Sequence, residues 1–408
     1  MRRTLPIRGP CRPMEPKIEL KATDLQSLFL PASSRVVGYD LARALAILGM
    51  VVINYSSMME VVDFSPPWLK PVVDFIYGRA AVVFVMLAGV SVTLMAARDP
   101  SPPAMRALRK RLVKRSLLLL IAGMILWRWW DADILHFYAV FIAAGSWAAG
   151  WGEAKLREWT VAVLALSLPV CATLTSAYDL GHSFALEHGH GIVPRLLLDF
   201  AISPYYAVLP WLGFFLVGML LGRREPAPAS FWRRACLIGA LICLAVEIFS
   251  GLSMAWGMRR GWEFEGNWWI AFLRSEAFPV TPLFILSAGA GGLALISLCR
   301  MTDQGSHQSV SGIRGLAAFG RLSLSMYVAH IGWGLFFKHW MKGPCGGVDS
   351  NAMFLAAGIF DLAGLAFAVK WCRHYRRGPL ETFFHRLTCG RIVPPRQAQV
   401  AACPVTPE

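Results

Sequence analysis

The chain is 408 residues long, 56% hydrophobic and only 16% charged, with a formal net charge of +15. A soluble domain carries roughly 25% charged residues, so this chain has too few to cover a water-facing surface of its size. The positive charge does not indicate nucleic acid, because the basic residues fall in short loops between apolar runs rather than along one binding face.

In chain order, residues 1–36 are polar, basic and proline-containing; without an apolar core they read as a cytoplasmic tail, not a cleavable signal peptide. Apolar runs long enough to span a bilayer then recur. They predict helices over about 41–60, 74–97, 116–130, 134–152, 159–177, 205–222, 235–254, 277–298, 319–338 and 352–371, the third being short and extended or tilted at its flanks. With the N-terminus inside, every inside loop is basic. The richest contain Arg106, Arg109, Lys110, Arg111, Lys114 and Arg115, and Arg223, Arg224, Arg233 and Arg234. That bias toward cytoplasmic Lys and Arg sets the orientation. Tryptophans such as Trp127, Trp129, Trp130, Trp256 and Trp262 mark the outer edge. The expected fold is therefore all-α: a polytopic transmembrane helix bundle of about ten helices, N-in and C-in. Residues 37–377 form the membrane domain, and 378–408, rich in proline toward the end, a disordered cytoplasmic tail. No CxxC spacing occurs among the nine cysteines, so neither a zinc ribbon nor a disulfide framework is suggested.

Polar side chains inside apolar spans cost a few kcal/mol and should face the bundle interior. In the first span Asp40 and Arg43 are three residues apart and can pair. Arg43 and Asn54, eleven apart, differ by about 20° around the helix axis, so one face is polar from its inner end past its midpoint. This face either anchors the helix at the interface or lines a polar pocket; the depth of Asn54 favours the pocket. In the second span Arg79 either snorkels outward or holds an anion or a carbonyl oxygen, and Gly89 and Ser91 serve close helix packing. The fourth span opens with Asp133, His136 and Tyr138. Asp133 and His136 can touch, and a carboxylate that orients a histidine makes a candidate general base; the plainer alternative is an interfacial polar cluster. In the ninth, Ser323, Tyr327 and His330 share one face, with His330 near the bilayer midplane. Two signals are weaker. His182, Glu187, His188 and His190 have zinc-ligand chemistry but lie in a loop, and no metal is assigned. Glu247 is either a cation's buried partner or a partly wet residue.

The stretch from Arg35 to Asn54, Arg35-Val-Val-Gly-Tyr-Asp40-Leu-Ala-Arg43-Ala-Leu-Ala-Ile-Leu-Gly-Met-Val-Val-Ile-Asn54, resembles the first helix of the transmembrane acyltransferase superfamily. That group includes the heparan-α-glucosaminide N-acetyltransferase catalytic-domain family and related uncharacterised bacterial membrane proteins. Gly78-Arg79 to Ser91, Asp133-Ile-Leu-His136-Phe-Tyr138 and Gly320-Arg321 to Tyr327 and His330 are similar to the latter set, in the right order. The resemblance implies transfer of an acyl group, typically acetyl from acetyl-CoA, to a hydroxyl or amine, often of a sugar. It implies the donor at the cytoplasmic mouth and the acceptor outside. Arg43, Arg79, Arg111, Lys114, Arg115 and Arg321 are then the cationic candidates for the donor, since guanidinium and ammonium groups bind phosphate well. His330 or His136, the latter with Asp133, would deprotonate the acceptor, and Asn54, Arg79 or Tyr327 would polarise the thioester carbonyl. The sequence departs from the family in one respect. Residues 57–72 contain no histidine, and Asn54 stands where relatives often have one. Direct transfer is therefore expected in place of an acetyl-histidine.

The expected partners are a small-molecule acyl donor and acceptor and membrane lipid, with no nucleic acid and no resident cofactor; self-association stays open. The expected location is a bacterial inner membrane. The alternatives are a transporter for a small polar or lipid-linked solute, and a non-catalytic assembly protein.

Overall fold

In the computed structural model the described residues are 36–61, 63–179, 196, 200, 205–262, 267–303, 311–341 and 348–389. Among them there is no strand. The helices are α1 (Val37–Met58), α2 (Leu69–Ile76), α3 (Arg79–Ala97), α4 (Pro102–Trp127), α5 (Leu135–Ala148), α6 (Glu153–Asp179), α7 (Val208–Gly222), α8 (Ala229–Arg259), α9 (Pro282–Met301), α10 (Ser311–Arg321), α11 (Ser323–Met341), α12 (Ser350–His374) and α13 (Pro379–Cys389). Six stretches are long and apolar enough to cross a membrane: α1, α2 with α3, most of α6, α8, α9 and α12; α5 and α7 are shorter apolar helices. The protein is a multi-pass membrane protein. Its exposed surface fits that reading. Leu237, Leu241, Leu244, Ile248 and Leu252 of α8 are all exposed, an apolar face that suits acyl chains rather than water.

Helix α1 is the hub, touching α3, α9, α10, α11 and α12. Small residues permit the tightest crossings. A side chain at Gly89 of α3 would strike the backbone of α7 at Phe215, and one at Gly218 of α7 would strike Met86 of α3. Gly89 thus packs as expected, whereas the Ser91 hydroxyl is taken up by a hydrogen bond from Arg43. Gly320 lets α10 lie against the Asp40 carbonyl of α1. Several helix starts are capped locally. Thr281 accepts from the Phe284 amide ahead of α9, which opens with Pro282, and Asp349 accepts from Asn351 ahead of α12. Gly78, at φ 72°, makes the turn that separates α2 from α3.

Three expectations change. The third span does extend at its inner flank: residues 102–115, taken as loop, are the first turns of α4, so its basic residues ride on a helix. The ninth span is two helices, broken at Leu322. The stretch after 378 is not simply tail, for α13 occupies Pro379–Cys389. Its Glu381 explains both features. One carboxylate oxygen accepts from the Leu324 (2.7 Å) and Ser325 (3.1 Å) amides and the other from the Ser325 hydroxyl (2.5 Å). A carboxylate at a helix N-terminus satisfies orphan amides and meets the positive end of the dipole. Residues 390–408 lie outside the described residues, as do His182, Glu187, His188 and His190.

Candidate active site

The residues singled out in three separate segments converge. Asp133 precedes α5 and is fully buried. Its Oδ1 accepts from the Tyr327 hydroxyl of α11 at 2.8 Å, while its Oδ2 accepts from the Leu135 amide at 3.0 Å and lies 3.3 Å from His136 Nδ1. The Tyr327 oxygen in turn accepts from the Ile134 amide at 3.2 Å. One helical turn along α11, the His330 ring lies 5.1 Å from that of Tyr327. Its Nε2 is 2.9 Å from Asn54 Nδ2 of α1, and Tyr55 donates its hydroxyl to the His330 carbonyl at 3.0 Å. An amide nitrogen only donates, so in this arrangement Nε2 of His330 is the acceptor and Nδ1 carries the proton. Among the described residues Nδ1 makes no hydrogen bond of ordinary geometry, although the Met326 and Tyr327 carbonyls lie near the ring.

Asn54 is the point where this network meets open space. It lines a small cleft together with Met50, Ser57, Tyr77, Gly78, Trp130, Tyr205, Tyr206 and Phe278. The walls are largely aromatic, and the buried Trp130 Nε1 has no hydrogen-bond partner among the described residues. His330 and His136 do not line the cleft. His330 stands behind Asn54, and His136 is sealed among Trp127, Phe137 and Phe200 at ring distances of 5.4, 4.2 and 5.9 Å. The sequence pointed to Asn54 but not to Tyr77, Tyr206 or Phe278, which reach the cleft only through the packing of α3, α7 and α9.

The cationic candidates divide by position. Arg43 pairs with Asp40 at 2.7 Å and donates to Ser91 at 2.7 Å. Ser91 lies six residues from the end of α3, about 9 Å along its axis, so Arg43 reaches into the bundle from the end that carries the basic loops. Arg115 is at comparable depth. The adjacent Ser116 donates to the Ala139 carbonyl of α5 at 2.7 Å, nine residues and about 13 Å from that helix's end. The exposed Val113 and Leu117 each lie about 160° from Arg115 around α4, so Arg115 faces away from this apolar stripe. Its charge is felt by Arg43, Tyr138, Arg377 and Glu381. Arg111, Lys114 and Arg115 are all exposed on this helix, and Arg321 donates to the Arg376 carbonyl at 2.8 Å near the α10–α11 break. These side chains gather a basic region, here termed the vestibule, toward the ends of α3 and α5 that carry the basic loops.

Arg79 belongs to neither place. It pairs with Glu247 of α8, donates to Ser287 (3.0 Å) and to the Phe75 carbonyl (2.6 Å), and lies over the Phe75 and Phe284 rings. Glu247 also accepts from Ser275 and Ser287. Arg79 thus does hold an anion and a carbonyl oxygen, but both belong to the protein: the result is a staple joining α3, α8 and α9, which gives Glu247 its partner. A second such staple was not read from the sequence. Arg300 holds Glu225 through two nitrogens, at 2.6 and 3.0 Å, and also pairs with Asp303; Asp303 accepts from the Gly38 amide and Glu225 from the Tyr39 hydroxyl.

A family model described as heparan-alpha-glucosaminide N-acetyltransferase, catalytic, matches residues 35–245, more than half of the chain. The chain belongs to this family. A second model, described as a protein of unknown function (DUF418), matches residues 221–391. No curated protein matches the chain significantly. The acetyltransferase match covers Arg43, Asn54, Asp133, His136 and Arg115, and the second covers Tyr327, His330 and Glu381. The Asn54–His330 contact therefore joins the two matched regions.

Proposed function

We propose that this membrane acetyltransferase-family protein moves an acyl group, best matched by acetyl, from a CoA thioester directly to a hydroxyl or amine of an envelope-associated acceptor such as a sugar. The observation that carries this reading is Asn54: one residue faces an aromatic cleft and at the same time holds the accepting nitrogen of a buried histidine. In this reading the donor enters the basic vestibule from the cytoplasm, its phosphates meeting Arg111 and Lys114 at the mouth and Arg43 and Arg115 further in. Arg43 and Asn54 are separated by about 16 Å along α1, a span suited to an extended pantetheine arm. The acceptor enters the cleft, whose aromatic walls offer apolar faces to sugar C–H groups and whose Asn54, Ser57 and Trp130 offer polar contacts.

The acceptor's hydroxyl or amine displaces Asn54 from His330 and gives its proton to Nε2. The acceptor atom bonds to the thioester carbon, the carbon–sulfur bond breaks, and the proton passes to the departing thiolate. The Asp133–Tyr327 pair fixes α11 against α5 and so the position of His330. No acyl-enzyme is required, in keeping with the lack of histidine in 57–72. Titrating the purified, folded protein with acetyl-CoA tests the donor side, and the absence of binding would sink the reading. Mass spectrometry of envelope sugars and lipids, with and without the gene, should show a product heavier by one acyl group.

A further inference from the structure

We infer that Tyr138 is a catalytic residue whose hydroxyl donates a hydrogen bond to the carbonyl oxygen of the acyl donor. The inference rests on the acyltransferase reading and adds a named contact to it. Tyr138 lies in the second turn of α5 and is 7% exposed. Its ring is held by Phe84 of α3 at 5.8 Å and by Phe141 at 6.0 Å. Its hydroxyl has no hydrogen-bond partner among the described residues. A buried hydroxyl without a partner costs about 1–3 kcal/mol, a cost that a fold retains where something else supplies the partner.

The surroundings indicate what that partner is. Arg43, Arg115 and Tyr206, the last of which lines the cleft, are the groups that act electrostatically on the Tyr138 hydroxyl. Arg115 is level with Tyr138, as the Ser116 bond to Ala139 fixes the register of α4 against α5. A donor whose phosphates sit at the vestibule mouth brings its acyl end up to this seam, where it meets the acceptor from the cleft. Arginine is fully protonated and phenol is a donor at neutral pH, so the seam presents hydrogen-bond donors, while the Asp40 carboxylate is paired with Arg43 and that of Asp133 accepts from Tyr327. Such a place favours a carbonyl oxygen that gains negative charge as the acceptor attacks. The phenol keeps its proton throughout. The new bond forms to the acyl carbon, the carbon–sulfur bond breaks, and the oxygen returns to a carbonyl.

Infrared difference spectra of the purified full chain with acetyl-CoA carrying carbon-13 in the acetyl carbonyl test the contact. In the unsubstituted protein the bound carbonyl band should lie below its position in water, and in Tyr138→Phe that displacement should be lost. Calorimetry supplies a second reading with a non-hydrolysable acetyl-CoA analogue, in which the sulfur is replaced by a methylene, set against CoA itself. The unsubstituted protein should prefer the analogue by about fivefold, and Tyr138→Phe should abolish the preference while leaving CoA affinity unchanged. An undisplaced band in the unsubstituted protein, or a displacement and preference that survive the substitution, would overturn the inference. Binding of neither CoA nor analogue by the folded protein would instead remove the reading beneath it.

Discussion

Two groups of polar side chains are buried in this apolar bundle, and they end in different conditions. Around Glu247 the charges are closed upon themselves: Arg79, Ser275 and Ser287 all donate to one carboxylate, and the result ties three helices together. Around His330 the chain of bonds stays open at one end, since Asn54 faces a cleft, and elsewhere in the bundle the Tyr138 hydroxyl has no partner among the described residues. The same kinds of residue, at similar cost to insert in a membrane, make a staple in one place and a candidate reaction site in the other. Depth in the membrane does not distinguish them; what does is that in one group opposite charges meet each other, although Arg79 Nε keeps no partner among the described residues, while in the other a polar side chain faces a cleft.

The sharpest way to break this contrast is to remove one member from each group. His330→Gln keeps a polar side chain opposite Asn54 but removes the base. Transfer to the natural acceptor should fall by about 10³-fold, within the range of general-base catalysis, with little change in the unfolding midpoint in detergent. A fall in stability that accounts for the lost activity would make His330 a second staple. The next effect is on stability alone. Glu247→Ala leaves the Arg79 guanidinium buried without its carboxylate, and the loss should be about 3 kcal/mol in a denaturant titration. Replacing Arg79 and Glu247 together by methionine should recover most of it, because no charge is then stranded. If both variants unfold alike, the pair is not closed in the sense argued here. Arg115→Ala should weaken CoA binding about tenfold, as expected for loss of a charge-assisted contact, and should flatten its dependence on salt. Calorimetry at two salt concentrations would check this.

The smallest effect concerns pH at the basic end. Partial burial, with Arg377 and Arg111 nearby, holds the His385 imidazole below its ordinary value. The folded chain therefore binds fewer protons than the unfolded one as pH falls through the ordinary histidine range near 6.5. The contribution of His385 to the docking of α13 is full above that range and declines below it. Limited proteolysis of the C-terminal segment should speed up modestly between pH 7.5 and 5.5, and His385→Asn should remove that dependence.

Much of the bundle was legible because membrane helices announce themselves in hydropathy and because pairs three or four residues apart follow from helix geometry. Asp40 with Arg43, and Asp133 with His136, were readable in this way. The sharing of a face by Tyr327 and His330 was also visible, and it anticipated that both would join one network. What the pattern could not supply were partners distant in the chain. Glu247 is 168 residues from Arg79, and nothing local assigns it. Arg79 therefore looked available for a ligand until packing showed that it was not. Tyr138 was visible in its motif, but its lack of a partner is a property of three helices meeting and not of a spacing. The C-terminal boundary was missed for a related reason: the prolines from 394 onward set the tone of the segment, while the capping role of Glu381 depends on a break at Leu322 that hydropathy smooths over.

That cap has a practical consequence. The helix that carries Tyr327 and His330 is rooted on a carboxylate borrowed from the far end of the chain, so its first turn is only as firm as the grip of α13. Cutting the protein short of Glu381, or pulling on that segment with a bulky fusion, would free two amides at the root of α11 and loosen a histidine some distance away. The C-terminus of this protein is thus a handle on its interior.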